Sequence, residues 1–163
     1  MTSAAPARRR LSATELETWR TFLRAHAQVV RALEHDLVAN HDLPLAHYDV
    51  LVQLSEAAGR QLRMTELAER VLLSRSGLTR LVDRLEREGL VRRQACPSDA
   101  RGTLAVLTDD GVDRLREAWP THLAGVLERV VGRFDEPELR TLGALLARLV
   151  DDPAEPAGAE AAS

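Results

Sequence analysis

The residues best equipped for chemistry in this 163-residue chain lie in one stretch, Ser74-Arg75-Ser76-Gly77-Leu78-Thr79-Arg80-Leu81-Val82-Asp83-Arg84-Leu85-Glu86-Arg87-Glu88. Set on a helix at about 100° per residue, Leu78, Leu81, Val82 and Leu85 share one face. Ser76, Arg80, Asp83 and Arg87 lie opposite, with Thr79 and Arg84 beside them. A helix that buries one side and shows hydroxyls and guanidinium groups on the other is built for recognition. Arg reads guanine bidentately in a major groove, and Ser, Thr and a helix N-terminus donate to phosphates. Gly77 lets the helix start come close to a backbone. The same pattern also describes a solvated amphipathic helix laced by i,i+4 pairs such as Asp83 with Arg87. The helix by itself does not separate the two readings.

Other chemistries find little to work with. No nucleophile and base with a supporting third residue stands out, nor a phosphate-cradling glycine loop, nor a paired-carboxylate site, so an enzyme is not expected. The five histidines, His26, His35, His41, His47 and His122, contain no i,i+4 pair, and no metal or other cofactor is expected. Cys96 is the single cysteine, which excludes an intramolecular disulfide and a multi-thiolate zinc site and suits a reducing compartment. Two Trp, two Phe and one Tyr are too few for a platform that stacks single-stranded bases.

Apolar residues make up 45% and charged residues 29%, a soluble globular balance in a chain long enough for one domain. There is no run of about 18 apolar residues to span a bilayer, and no secretory signal, so the chain reads as cytoplasmic with no membrane partner. The net charge of -3 hides an uneven distribution. Residues 58–103 carry ten Arg against six acids, whereas 104–163 carry six Arg against twelve acids. Every basic residue is arginine. Base composition of the genome could account for that choice, but the concentration in the middle of the chain points to a polyanionic partner.

Residues 1–11 read as a disordered tail, and 151–163 as a disordered acidic one. Ser12 and Glu15 form a capping box, so the first helix starts at Ala13, with Leu16, Trp19, Leu23, His26, Val30, Leu33 and Leu37 inward and a stop near Asn40. At about 40 Å this helix is longer than a small domain needs for its own core. Pro44 opens a second helix that Gly59 ends, Thr65 caps a short third, and Ser74 caps a fourth that closes at Gly89-Leu90 in a Schellman stop. Val91–Cys96 and Thr103–Leu107 are strands flanking a turn-rich tip, 97–102. Thr108 caps a long helix through Val112, Leu115, Trp119, Leu123, Val126 or Leu127, and Val130, with a kink expected at Pro120. Asp135 and Glu138 open the last, with Leu139, Leu142, Leu145, Leu146 and Leu149 inward. The order is that of a winged helix-turn-helix: mainly α with a small β-hairpin wing.

Leu67-Ala68-Glu69-Arg70 followed by 74–91 resembles the recognition segment of MarR-type transcriptional regulators. Asp99-x-Arg101-Gly102, then four residues, then Leu107-Thr108 is similar to that family's wing signature, and Trp119-Pro120-Thr121-His122-Leu123 looks like its actinobacterial members. The resemblance covers residues 12–150 as a single domain, with 44–107 the DNA-binding lobe and 12–40 and 108–150 the dimerisation helices. It implies a homodimer through the N- and C-terminal helices, which gives the over-long helices a partner.

By position, the resemblance places Ser74, Ser76, Thr79 and Arg80 against bases or phosphates of double-stranded DNA, with Arg75 and Arg84 flanking them. Arg101 would enter the adjacent minor groove, oriented by Asp99 through a charge-assisted hydrogen bond. Asp99 could also serve as a turn-forming residue, a role that can coexist with the first. Family members respond to small aromatic or phenolic acids, for which the candidates are Trp19, Phe22 and His26 on helix 1 and His47 and Tyr48 on helix 2. Each has a plain alternative as dimer core or satisfied histidine. His122 follows Pro120, where a protonation could act. Cys96, at the base of the wing, reads as a small buried residue. The implied function is a ligand-responsive repressor acting on inverted repeats; the alternative is a winged-helix dimer that binds protein instead of DNA.

Overall fold

The computed structural model describes residues 9–71, 74–96 and 99–149, without the side chains of Arg75 and of residues 99–101. Residues 1–8 of the expected 1–11 tail, the expected tail at 151–163 and the Pro97-Ser98 tip lie outside the described residues. Helix α1 (Ala13–His41) begins on the capping box the sequence predicts: Glu15 N–H donates to Ser12 Oγ at 3.2 Å, and Ser12 N–H to Glu15 Oε2 at 2.8 Å. Its stop is later than Asn40. Asn40 turns its amide back onto the Asp36 carbonyl at 2.8 Å, and Asp42 takes the left-handed position at φ 48°. Asp tolerates that region better than most side chains.

Helix α2 (Leu45–Glu56) follows Pro44, which offers no side-chain cap. Glu34 of α1 supplies one instead, its Oε2 accepting from Leu45 N–H at 2.5 Å, a carboxylate at the positive end of the helix dipole. A tight turn at Ala58–Arg60 holds Gly59 at φ 65° and Arg60 at φ 54°. It leads into a strand absent from the sequence reading, β1 (Gln61–Arg63). Three residues are too short to display a period, and the strand forms because β3 presents an open edge to pair with.

Because β1 runs straight into α3 (Met64–Arg70), the capping position falls to Arg63, and Thr65 lies inside the helix instead of capping it. Helix α4 (Arg75–Arg87) is capped by Ser74 as expected. It ends in a Schellman pair, Leu90 N–H to the Leu85 carbonyl at 2.9 Å and Gly89 N–H to the Glu86 carbonyl at 3.0 Å, with Gly89 at φ 76°.

Strands β2 (Val91–Cys96) and β3 (Asp99–Leu107) complete an antiparallel sheet of order β1-β3-β2. The wing tip is shorter than expected. Asp99 pairs with Cys96 across the ladder, after a register irregularity at Ala95/Cys96, so residues 99–102 belong to the strand and not to the turn. The core gathers Leu37, Leu43, Tyr48, Leu51, Leu54, Leu67, Leu78, Val82, Leu85, Val91 and Leu107, which sets the buried face of α4 against α2, α3 and the sheet.

Helix α5 (Asp109–Arg129) runs continuously through Pro120. Its expected inward stripe is only partly inward. Val112 and Leu115 pack on the core, but Ala118 is the buried residue in the middle, while Trp119 is 50% exposed. The chain divides into two compact units between Gly125 and Val126. The second contains the end of α5, a turn at Val131–Arg133 and α6 (Glu136–Ala147), opened by the predicted Asp135/Glu138 capping box. Leu145, Leu146 and Leu149 were expected inward and are exposed, and no residue of α6 is buried. Likewise Trp19, Phe22, Leu23 and Val30 of α1 stand exposed, and only Leu33 and Leu37 of that helix are buried.

Candidate nucleic-acid interface

Ser74 builds the start of α4. Its Oγ accepts from Gly77 N–H at 3.1 Å and lies 3.3 Å from Ser76 Oγ, so two hydroxyls meet at the positive end of α4. A Cβ on Gly77 would come within 3.2 Å of that Ser74 oxygen, which ties the glycine to the compactness of the cap. Leu78, Val82 and Leu85 are fully buried, and Ser76, Thr79, Arg80, Asp83, Arg84 and Arg87 are exposed, as the helical spacing predicts.

The charged groups on that exposed face are not equivalent. Arg84 Nε donates to Glu88 Oε1 at 2.9 Å, and this is the i,i+4 pair of the helix. Asp83 does not pair with Arg87 as the sequence suggests. Arg87 Nε donates to the Asp83 main-chain carbonyl at 3.3 Å, while the Asp83 carboxylate meets Arg93 of β2 at 2.7 Å. Arg80 has no partner among the described residues and is exposed, leaving its planar fork of donors free. Arg75 is the first residue of α4, and Asp99 and Arg101 belong to β3, but their side chains lie outside the described residues.

Between α4 and the wing lies a cavity of about 460 Å³ bordered by Arg63–Thr65, Thr79, Arg93 and Gly102–Thr103. Neither Arg63 nor Arg93 was singled out from the sequence. The sequence carried no clear signal for Arg93: Asp83 and Glu86 lie three residues apart on a helix that already has four arginines, and only the packing of β2 brings Arg93 to them. Arg63 became visible only once β1 was paired with β3.

The far end of α4 is fastened to α5. Thr108 Oγ1 donates to the carbonyls of Gly89 at 2.7 Å and Leu90 at 2.9 Å, and it accepts from Gly111 N–H at 3.0 Å as the helix cap. Thr108 N–H also donates to the Leu90 carbonyl at 3.1 Å. Helix α4 and the long helix α5 are thereby joined through one residue.

The candidate ligand residues fall into two separate groups. Trp19 and Phe22 stack on α1 with ring centroids 6.1 Å apart and are 51% and 40% exposed, and His26 is exposed on the same helix. His47 and Tyr48 are buried on α2. Tyr48 stacks instead on His122 of α5, with centroids 4.5 Å apart and planes at 30°. His47 Nδ1, Tyr48 Oη and His122 Nδ1 are buried with no hydrogen-bond partner among the described residues, an unusual concentration of unsatisfied polar atoms. Burial holds both imidazoles below the ordinary histidine range and, with Asp49 and Glu56, pushes the Tyr48 phenol up to about 12. Nearby, His41 Nε2 lies 2.7 Å from Thr121 Oγ1, and Arg114 donates to the His41 carbonyl, tying the end of α1 to α5. Among the described residues there is no cluster of three or more His, Cys, Asp or Glu that could hold a metal ion, and no helix is long and apolar enough to cross a membrane.

Known proteins share this arrangement. The MarR family model matches residues 41–102, from the end of α1 into β3. A MarR family transcriptional regulator from Streptomyces coelicolor, solved in complex with DNA, is 37% identical over 92% of this chain and 96% of that one, with a TM-score of 0.84. AbsC, a second MarR family regulator of that organism, is 36% identical over 86% of this chain and 95% of its own, with a TM-score of 0.82. The transcriptional repressor YetL of Bacillus subtilis is 28% identical over 85% of this chain and 84% of its length. Likeness of this extent in sequence and fold, centred on the helix whose buried and exposed faces are described above, makes the chain a member of the MarR family of DNA-binding transcriptional regulators, and not an enzyme.

Proposed function

We propose that the protein is a homodimeric repressor that binds inverted repeats in double-stranded DNA and is released by a small aromatic acid. The observation that carries the reading is α4, whose capped N-terminus and uncommitted Arg80 stand opposite a fully buried Leu78-Val82-Leu85 face. In the major groove, Ser74, Ser76, Thr79 and Arg80 meet phosphates and base edges, and Arg75 and Arg84 flank them. Arg101, oriented by Asp99, enters the neighbouring minor groove, where negative potential concentrates over A·T-rich sequence. YetL, a relative, is named as a repressor.

Dimerisation is supported by the exposed apolar side chains Trp19, Phe22, Leu23 and Val30 on α1 and, in the second unit, Leu127, Leu145 and Leu146. Apolar faces of this kind mark association surfaces. A two-fold dimer demands a two-fold site, with half-sites about 10 bp apart, centre to centre. Ligand release is supported by the unsatisfied His47, Tyr48 and His122 atoms, which a carboxylate or phenol could satisfy. A ligand releases DNA only if it binds the DNA-free conformation better.

The test is selection of duplexes from a random library by the full chain, followed by footprinting and sedimentation of the complex. The reading expects a symmetric footprint with two protomers and a binding constant that falls steeply with salt. A monomer on an asymmetric site refutes the dimeric reading. Absence of any salt-dependent duplex binding would favour a protein partner. For the ligand, aryl and phenolic acids titrated into the complex should lower affinity in the parent and much less in His47→Ala or Trp19→Ala. An unaltered response in both variants returns those residues to a packing role.

A further inference from the structure

Helix α4 carries two carboxylates, Asp83 and Glu86, on the flank that faces the wing, although the reading above brings this helix against a polyphosphate. One side chain gathers both. Arg93 Nη2 meets Asp83 Oδ1 at 2.7 Å, and Arg93 Nη1 meets Glu86 Oε2 at 2.5 Å. Arg93 Nη2 also donates to the Thr79 carbonyl at 3.2 Å, and the Arg93 main-chain N–H donates to the second Glu86 oxygen at 2.9 Å. The guanidinium therefore spans positions 79, 83 and 86, which a helix places along one side. Its side chain is only 25% exposed, against 50% for Asp83, so the cation is held under the helix and not presented outward. In the sheet Arg93 stands opposite Ala105, well back from the wing tip.

We infer that Arg93 is a positioning residue for DNA recognition that acts by neutralising Asp83 and Glu86. With Arg93 in place, the exposed face of α4 offers phosphates the free Arg80 fork and no unpaired carboxylate pair. Without it, two carboxylates stand unscreened on a helix that must approach like charge, and repulsion over several ångströms weakens binding. The fork geometry lets one guanidinium serve two carboxylates at once. This inference rests on the reading of α4 as the DNA-facing helix.

The experiment uses the full-length protein and a duplex selected by the parent, with Kd measured at about 0.1 M salt, where the Debye length is about 10 Å. Arg93→Gln is expected to raise Kd on the order of tenfold. Adding Asp83→Asn and Glu86→Gln to that variant should bring Kd back to within about threefold of the parent, since the repelling charges are gone. A purely structural tie between wing and helix would not be rescued in this way, so failure of the rescue overturns the inference. Arg93→Lys keeps the charge and loses the fork, and its Kd should fall between those of the parent and Arg93→Gln. It serves as the deciding variant if Arg93→Gln does not fold, and a tenfold loss in it overturns the inference. Arg80→Ala separates the two levels of the argument. If neither it nor Arg93→Gln changes binding, the assignment of α4 fails. If Arg80→Ala weakens binding and Arg93→Gln does not, the inference about Arg93 alone fails.

Discussion

Gly111 sits in the first turn of α5, where the helix is seated on the end of α4. A Cβ there would lie 2.2 Å from the Leu90 carbonyl oxygen and 2.6 Å from Leu107 Cδ1, well inside the 3.0 Å below which real Cβ contacts are essentially never found. The Leu107 methyl can rotate away. The Leu90 oxygen cannot, because it belongs to the backbone and accepts from both Thr108 N–H and Thr108 Oγ1. Gly111→Ala must therefore push α5 away by close to an ångström. Overpacking costs about 2 kcal/mol. Stretching the Thr108 hydrogen bonds costs about 1 kcal/mol or more, and the helix propensity of Ala returns up to about 1 kcal/mol. The net loss is about 2–3 kcal/mol, which for a chain of this size lowers Tm by about 4–12 °C.

The assay is thermal unfolding by circular dichroism at fixed protein concentration, because the Tm of an associating protein depends on concentration. Asp113→Ala, an exposed substitution half a turn further on, is the control and should stay within about 0.5 kcal/mol of the parent. Since Leu90 follows the Schellman end of α4, DNA affinity of Gly111→Ala should fall at temperatures where the variant is still folded. A Gly111→Ala protein that melts with the parent would show that α5 is not seated on the Leu90 carbonyl, and the reasoning would be wrong.

Three further outcomes are expected. Arg80→Ala should relax sequence preference, whereas Arg87→Ala should weaken all duplexes alike and lower the salt slope by about one, as for a lost phosphate contact; the pair is compared by Kd against salt on selected and random DNA. Ser74→Ala removes the oxygen that caps Gly77 N–H and should cost about 1 kcal/mol in urea unfolding, with no loss at all counting against the cap. His47 and His122 are held below the ordinary histidine pKa of 6.5 by burial, so the unfolded chain binds protons that the folded chain resists. Stability should thus be full above about pH 6.5 and decline as pH falls through the folded pKa values. A Tm unchanged between about pH 7.5 and about pH 5.5 would contradict the burial of these two imidazoles.

The sequence by itself determined the features whose partners lie within a few residues. Ser12 with Glu15, Ser74, Thr108, and Asp135 with Glu138 start helices because the orphan N–H groups they satisfy are three residues away. Gly89 stops α4 for an equally local reason, and the buried and exposed faces of α4 follow from a 3.6-residue period. The two faces of α4 were therefore legible in the sequence. Only the tertiary structure decided what depends on segments distant in the chain. Strand β1 exists because β3 has an open edge, and no pattern in Gln61-Leu62-Arg63 announces it. Asp83 could have paired with Arg87 one turn on, but β2 brings in Arg93, whose fork also reaches Glu86. Tyr48 found His122 through the packing of α2 on α5, which no spacing encodes. The stripes on α1, α5 and α6 mark the limit most clearly. Periodicity requires that an apolar face be covered, yet hydrophobic burial is non-directional, so the sequence fixes the need for a partner surface without choosing it.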